Sequence, residues 1–149
     1  MDATPASSPD QPAGPNRLGP IAYAATTLYV DDLEASMAWY RRTLGLEPAS
    51  VSHDEFAYAR YRVGDLVFVL EPASAATDPH DSGRTGAAAL NLVVQREPAT
   101  IRAELLEDGV PCTDLKASPR FETFLVRDPD GHRIYVTKPR PRRDPWVGA

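Results

Sequence analysis

Apolar residues recur along this chain in two rhythms, and their order predicts its elements. Residues 22–30 (Ala-Tyr-Ala-Ala-Thr-Thr-Leu-Tyr-Val) suit a strand, after which Asp31-Asp32 offer a helix N-cap. Leu33, Met37, Tyr40 and Leu44 follow at spacings of four, three and four, one apolar stripe on a helix of about 33–43 that Gly45 ends. Phe56 to Val63 and Leu66 to Leu70 read as two strands around a Gly64-Asp65 turn, and a polar loop rich in Ala, Ser, Asp and Gly covers 73–86. The same order then returns. A strand is expected at 88–94, a helix starting near Pro98 with Ile101 and Leu105 facing inward, a break at Gly109, and strands near 121–126 and 133–137.

The second set reads as a copy of the first. Val30 and Val94 differ by 64 positions, as do Gly45 and Gly109, and the residues that follow those glycines, Leu46 and Val110, are both apolar. Gly64, Val67, Val69 and Pro72 match Gly131, Ile134, Val136 and Pro139 at an offset of 67, which places a three-residue insertion between the two anchors. Module one is about 21–74 and module two about 86–139. Outside them, residues 1–20 hold five prolines with no hydrophobic periodicity and cannot bury enough surface to offset the entropy of ordering, so a disordered tail is expected. Residues 140–149 form a second tail, whose Trp146 has the choice of the body or a partner chain.

Composition narrows the function. The 149 residues suit one domain, and no apolar run approaches the roughly 20 residues of a membrane-spanning helix, so no membrane partner is expected. The single cysteine, Cys112, rules out an internal disulfide and any thiolate cluster, and the N-terminus lacks the basic start and apolar middle of a signal peptide; a cytoplasmic location follows as the expectation. Net charge is −5, with the tails contributing −1 (Asp2, Asp10, Arg17) and +2 (Arg140, Arg142, Arg143, Asp144), which leaves −6 on the body. An acidic body speaks against nucleic acid, whose phosphates need a basic face, and slightly favours a cationic or neutral ligand over an anionic one.

Two stretches carry a resemblance. Leu-Tyr-Val-Asp-Asp-Leu-Glu-Ala-Ser-Met-Ala-Trp-Tyr-Arg-Arg-Thr-Leu-Gly-Leu (28–46) and Arg-Asp-Pro-Asp-Gly-His-Arg-Ile-Tyr-Val (127–136), set in a duplicated chain, resemble the vicinal oxygen chelate superfamily, which includes glyoxalase I, extradiol dioxygenases and bleomycin-binding proteins. The resemblance covers about 21–139 and implies an α+β fold of two tandem βαβββ modules, each curling its sheet into a partial barrel around a cavity. It also implies a homodimer, with each site formed by two modules of one chain or of two chains. Asp128-Pro129-Asp130-Gly131 reads independently as a turn that positions the last strand, because proline fixes φ and glycine permits a positive one.

Metal-dependent members of that superfamily hold a cation with one residue on the first and one on the last strand of each module. Carried over residue by residue, those positions are Ala25 and Phe68 in module one and Ala89 and Tyr135 in module two. Two methyl groups, a phenyl ring and a phenol do not supply the three or four donors a divalent ion requires. His53, His80 and His132 read as scattered surface residues. No metal and no cofactor are expected.

Strand alternation places Ala25, Thr27 and Tyr29 on one face and Thr26, Leu28 and Val30 on the face packed against helices. The same parity gives Ala89, Asn91 and Val93 in module two, with Phe68, Arg133, Tyr135 and Thr137 from the last strands. Small residues opposite aromatic ones leave room for a flat ligand, with Thr27, Asn91 and the Tyr135 hydroxyl to orient it; Phe68 and Tyr135 packed as core would instead fill the barrel. Tyr58 and Arg60 alternate with Ala57, Ala59 and Tyr61, and periodicity alone does not fix which set lines the cavity. Trp39 lies off the main stripe of its helix, at a contact between modules or chains or at a packed helix shoulder.

Two functions fit this lining. One is metal-independent binding of a small hydrophobic or aromatic compound, as in drug-sequestering antibiotic resistance proteins. The other is a metal-independent isomerase, cyclase or hydrolase acting on such a compound, with Tyr135, Glu122 or Arg60 as its acid–base or electrostatic group.

Overall fold

The computed structural model describes residues 17–21, 24–54, 57–75 and 89–141. Most of both expected tails, including Trp146, lies outside the described residues, as do Phe56 and His80. Module one runs β1 (Ala25–Val30), α1 (Leu33–Trp39) continuing into a π-helical turn (Tyr40–Leu44), β2 (Ser50–Ser52), β3 (Tyr58–Val63) and β4 (Leu66–Pro72), followed by a short 3-10 turn (Ala73–Ala75). Module two repeats it as β5 (Ala89–Val93), α2 (Pro98–Glu107), β6 (Lys116–Ala117), β7 (Phe121–Arg127) and β8 (Arg133–Pro139). The two sheets have the same strand order, β1-β4-β3-β2 and β5-β8-β7-β6. In each, the first strand pairs parallel with the last and the other pairs are antiparallel. Only β2 and β6 had no counterpart in the sequence pattern; at three and two residues they are too short to show an alternation.

Local chemistry sets the helix ends. Asp32 is the N-cap of α1, in extended conformation (φ −131°, ψ 105°), and its carboxylate accepts the Ala35 N–H at 3.0 Å. The helix stops at Gly45, whose φ of +71° is left-handed; a side chain there would meet no atom within 4 Å, so the demand for glycine comes from the dihedral alone. Gly109 does the same after α2 at φ +79°.

One core joins both modules. Leu28 and Val30 of β1 pack with Leu33, Met37 and Tyr40, and the same cluster contains Leu90, Leu105, Phe124, Ile134 and Val136 from module two. Trp39, half-buried, packs against this core with its ring edge-on to Tyr40. Tyr61 and Phe68, paired across β3 and β4, stack at 4.7 Å with planes 3° apart.

The Asp128–Gly131 segment does more than turn the chain. Asp128 Oδ2 accepts the Tyr40 hydroxyl at 2.8 Å, while its Oδ1 accepts the backbone N–H groups of Asp130 and His132 at 3.0 and 2.8 Å. Asp130 Oδ1 accepts the Asp31 N–H at 2.9 Å, and His132 Nε2 donates to the Tyr29 carbonyl at 2.7 Å. The turn is therefore a polar lock between modules. His132 is buried at 5% exposure, which corrects its reading as a surface histidine: its ring is spent on a backbone carbonyl 103 residues away. Burial raises the pKa of the Asp128 carboxyl, with the His132 N–H and the Tyr40 hydroxyl partly offsetting it, and burial followed by the Asp128 charge raises that of Tyr40.

Candidate functional site

Residues paired directly across strands share a sheet face, so the registers decide which side chains meet. On the face of sheet one turned away from the core, Ala25 pairs with Val67 and Thr27 with Val69, and Arg60 of β3 pairs with Val69 from the other side. Tyr29 and Tyr58 follow by alternation. The structure thus brings Ala25, Thr27, Tyr29, Tyr58 and Arg60 onto one face, and settles the parity of β3, because Ala59 and Tyr61 are fully buried on the other.

On the corresponding face of sheet two, Ala89, Asn91 and Val93 pair with Arg133, Tyr135 and Thr137, and Thr123 and Leu125 of β7 lie beside Thr137 and Tyr135. Three of the polar groups here are ordered into a chain. Thr137 Oγ1 donates to Asn91 Oδ1 at 2.8 Å and lies 2.8 Å from Thr123 Oγ1. Since the Thr137 proton is committed to Asn91, Thr123 is the donor in that second bond. Asn91, an exposed residue, thereby keeps its two amide N–H donors. Around this line Val93 is 64% and Phe121 41% exposed, large apolar groups on an open sheet face.

Phe68 does not join this set. It pairs with Thr26, is fully buried, and points with Leu70 into the core, so it stacks on Tyr61 rather than lining an open face. The register explains why. Thr27 pairs with Val69 as Asn91 pairs with Tyr135, which makes Val69 the counterpart of Tyr135. The offset in the last strand is thus 66, not the 67 suggested by the glycine and proline landmarks, and a one-residue slip exchanges faces.

Glu122 also leaves the set. It pairs with Lys138 on the opposite face from Tyr135 and forms an ion pair with Arg140 at 2.7 Å. Tyr135, Glu122 and Arg60 are therefore not one constellation: Tyr135 and Glu122 face opposite ways, and Arg60 stands in the other sheet. Phe121, Thr123 and Leu125 were missed in the sequence. The buried Phe124 and Val126 between them carry the signal that would have fixed the parity of β7.

The donor chemistry does not fit a divalent ion. The cation positions implied by the fold family offer the methyl groups of Ala25 and Ala89, the isopropyl of Val69 and one phenol, Tyr135. Among the described residues no three His, Cys, Asp or Glu side chains gather closely enough to hold a metal. His53 sits on the surface, 3.4 Å from Glu34. The Cys112 thiol lies 3.4 Å from the Val110 carbonyl and burial raises its pKa, so it has the character of a packed side chain rather than a reactive one. Tyr61, pushed up to about 12 by burial, keeps a buried hydroxyl with no partner among the described residues.

A cleft of about 470 Å³ opens on the other side of the molecule, between the C-terminal turn of α1 and one face of α2. Leu92, Val94 and Val136 line its floor, with Ile101 and Leu105 from α2 and Leu44 from the π-helical turn. No helix among the described residues is long and apolar enough to cross a membrane.

Residues 21–136 match the family model of the Glyoxalase/Bleomycin resistance protein/Dioxygenase superfamily. Solved structures share the fold. The chain is 21% identical to TnmS3, an antibiotic binding protein from Streptomyces sp. CB03234, covering 80% of this chain and 99% of that one with a TM-score of 0.66. It is 20% identical to lactoylglutathione lyase from Agrobacterium tumefaciens (80% and 95%, TM-score 0.63). It is 22% identical to a superfamily member from Sphaerobacter thermophilus (79% and 98%, TM-score 0.65). No curated protein matches in sequence.

Proposed function

The chain belongs to the glyoxalase/bleomycin resistance protein/dioxygenase superfamily, and from that premise we propose that it binds a small hydrophobic or aromatic compound without a metal, on the open sheet faces, as a homodimer. The observation that carries this reading is the face of sheet two. There Phe121, Val93, Leu125 and Tyr135 surround an ordered polar line, Thr123–Thr137–Asn91, with Arg127 and Arg133 at the far end of the same face. An apolar surface with a few fixed hydrogen-bonding groups is what a small-molecule site requires, and it is what an unliganded sheet face otherwise avoids. Asn91 offers donors to a ligand acceptor, and Tyr135 and Phe121 offer ring faces for stacking. On the matching face of sheet one, Arg60, Tyr58 and Thr27 are the ligand-contacting candidates.

Binding is favoured over catalysis because Tyr135 and Glu122 project from opposite faces of sheet two, which removes that acid–base pairing. A structure of the same fold, TnmS3, is that of an antibiotic binding protein, which supports a small-molecule ligand. A second copy supplies the cover that the exposed Val93 and Phe121 lack.

Native mass spectrometry of the full chain, purified without added metal or chelator, tests the reading in one spectrum. The expected result is a dimer mass without a divalent ion, with any retained organic molecule released unchanged on denaturation. A monomer, or one divalent ion per chain lost on substituting Tyr135, would overturn it.

A further inference from the structure

The cleft between the helices is a second feature, independent of the sheet faces, and its chemistry is specific. Its walls are related by the duplication: Thr43 and Leu44 at the end of the α1 turn stand at the positions that, 64 residues on, are Glu107 and Asp108 at the end of α2, and all four border the cleft. Two helix C-termini therefore converge on one space. Each brings the negative end of its backbone dipole and carbonyls without intrahelical partners. In module one the helix closes through a π-helical turn, in which the Leu46 N–H reaches the Tyr40 carbonyl at 3.1 Å; the corresponding bond after α2, from Val110 to Leu105, spans one residue fewer. That widened turn carries both Thr43 and Leu44.

Charge at the rim has one sign left over. Arg96, the cation on the cleft, is held by both oxygens of Glu104 at 2.8 and 2.9 Å. Glu107 and Asp108 have no side-chain hydrogen bond or ion pair among the described residues. Arg41, in the last turn of the first helix, is tied to Glu47 at 2.7 Å. The floor of Leu92, Val94, Ile101 and Leu105 is apolar. The volume of about 470 Å³ lies within the usual range for small-molecule sites.

We infer that this cleft is a second binding site, for a small organic cation that sets an apolar body on the Leu92–Val94–Ile101 floor and its charge between Glu107, Asp108 and the two helix C-termini. The complementarity selects sign as well as size: an anion of the same shape would meet two carboxylates and two negative dipole ends, with the one cation already engaged. The site shares no residue with the open sheet faces and stands whatever binds there.

Titration of the isotope-labelled full chain with benzyltrimethylammonium, followed by amide chemical shifts, tests the inference, with phenylacetate as the anionic comparator. Saturable shifts are expected at Leu92, Val94, Ile101 and Leu105, weakening as salt is raised, while phenylacetate leaves these amides unmoved. The Glu107→Gln/Asp108→Asn pair, both exposed, should weaken the cation at least about fivefold with the spectrum otherwise unchanged. Thr43→Lys, which brings its own ammonium to the rim, should do the same. Absence of saturable shifts at the cleft, equal binding of phenylacetate there, or an affinity indifferent to both variants would overturn the site.

Discussion

Removing the Tyr40 hydroxyl asks how much the contact between modules contributes. In Tyr40→Phe the ring keeps its packing in the core and Asp128 Oδ2 loses its only side-chain donor among the described residues, with the carboxylate still buried. A hydrogen bond to a charged group of this kind contributes about 1.5–3 kcal/mol. For a body of this size that is a fall of roughly 5–10 °C in Tm. Asp128→Ala should cost more, roughly 3–5 kcal/mol, since it also strips the acceptor from the Asp130 and His132 N–H groups and leaves the Tyr40 hydroxyl buried without a partner. A double-mutant cycle on Tyr40→Phe and Asp128→Ala, read by urea unfolding, should return a coupling above about 1 kcal/mol. The pH dependence adds a sign. Because the folded carboxyl titrates above its ordinary value, folding favours its protonated form, and this group's contribution grows as pH falls toward the ordinary carboxylate range and is lost as pH rises through its folded pKa. The stability gap between the native chain and Asp128→Asn, which cannot titrate, should therefore widen from pH 7 to pH 4.5. Additive single substitutions, or a gap that narrows with acid, would refute the reasoning.

Phe68→Ala should destabilise by about 3–5 kcal/mol, the cost of emptying a fully buried aromatic site, whereas Tyr135→Ala should change stability far less and weaken ligand binding; unfolding and binding measured on both variants separate a core role from a site role. Gly45→Ala should cost about 1 kcal/mol through its positive φ, and Gly45→Asn less, because nothing nearby obstructs a side chain; equal costs for the two in thermal unfolding would contradict a purely dihedral origin.

Most of the architecture was legible because the duplication repeats its punctuation. Val30 ends β1 and Val94 directly follows β5, and Gly45 and Gly109 end equivalent helices, so the 64-residue offset carries into the fold. The last strands were misaligned by one residue because Gly64 and Gly131 mark different turns. The β3–β4 hairpin turns through two residues, with Val63 opposite Leu66, whereas β7 and β8 are joined by the five residues 128–132. That single slip moved Phe68 from the core to an open face. His132 was misread for a different reason: its partner is the Tyr29 carbonyl, and no local pattern reports a contact with a backbone atom so far away. Neither the polar line on sheet two nor the cleft is written in any one segment, because each needs the registers of several strands or helices at once.

The bonds from residues 128–132 back to Tyr29, Asp31 and Tyr40 bear on how the chain is made. On the ribosome the first module emerges well before its counterpart, and at roughly 5–20 residues per second the interval between Tyr40 and His132 is on the order of 5–20 s. For all of that time a carbonyl, an amide and a phenol of the first module wait for partners that have yet to be translated. The N-terminal half can collapse early but completes its own helix surroundings only when the final hairpin arrives, so nascent chains stalled before residue 128 should remain open to protease while those released just beyond β8 close as one unit.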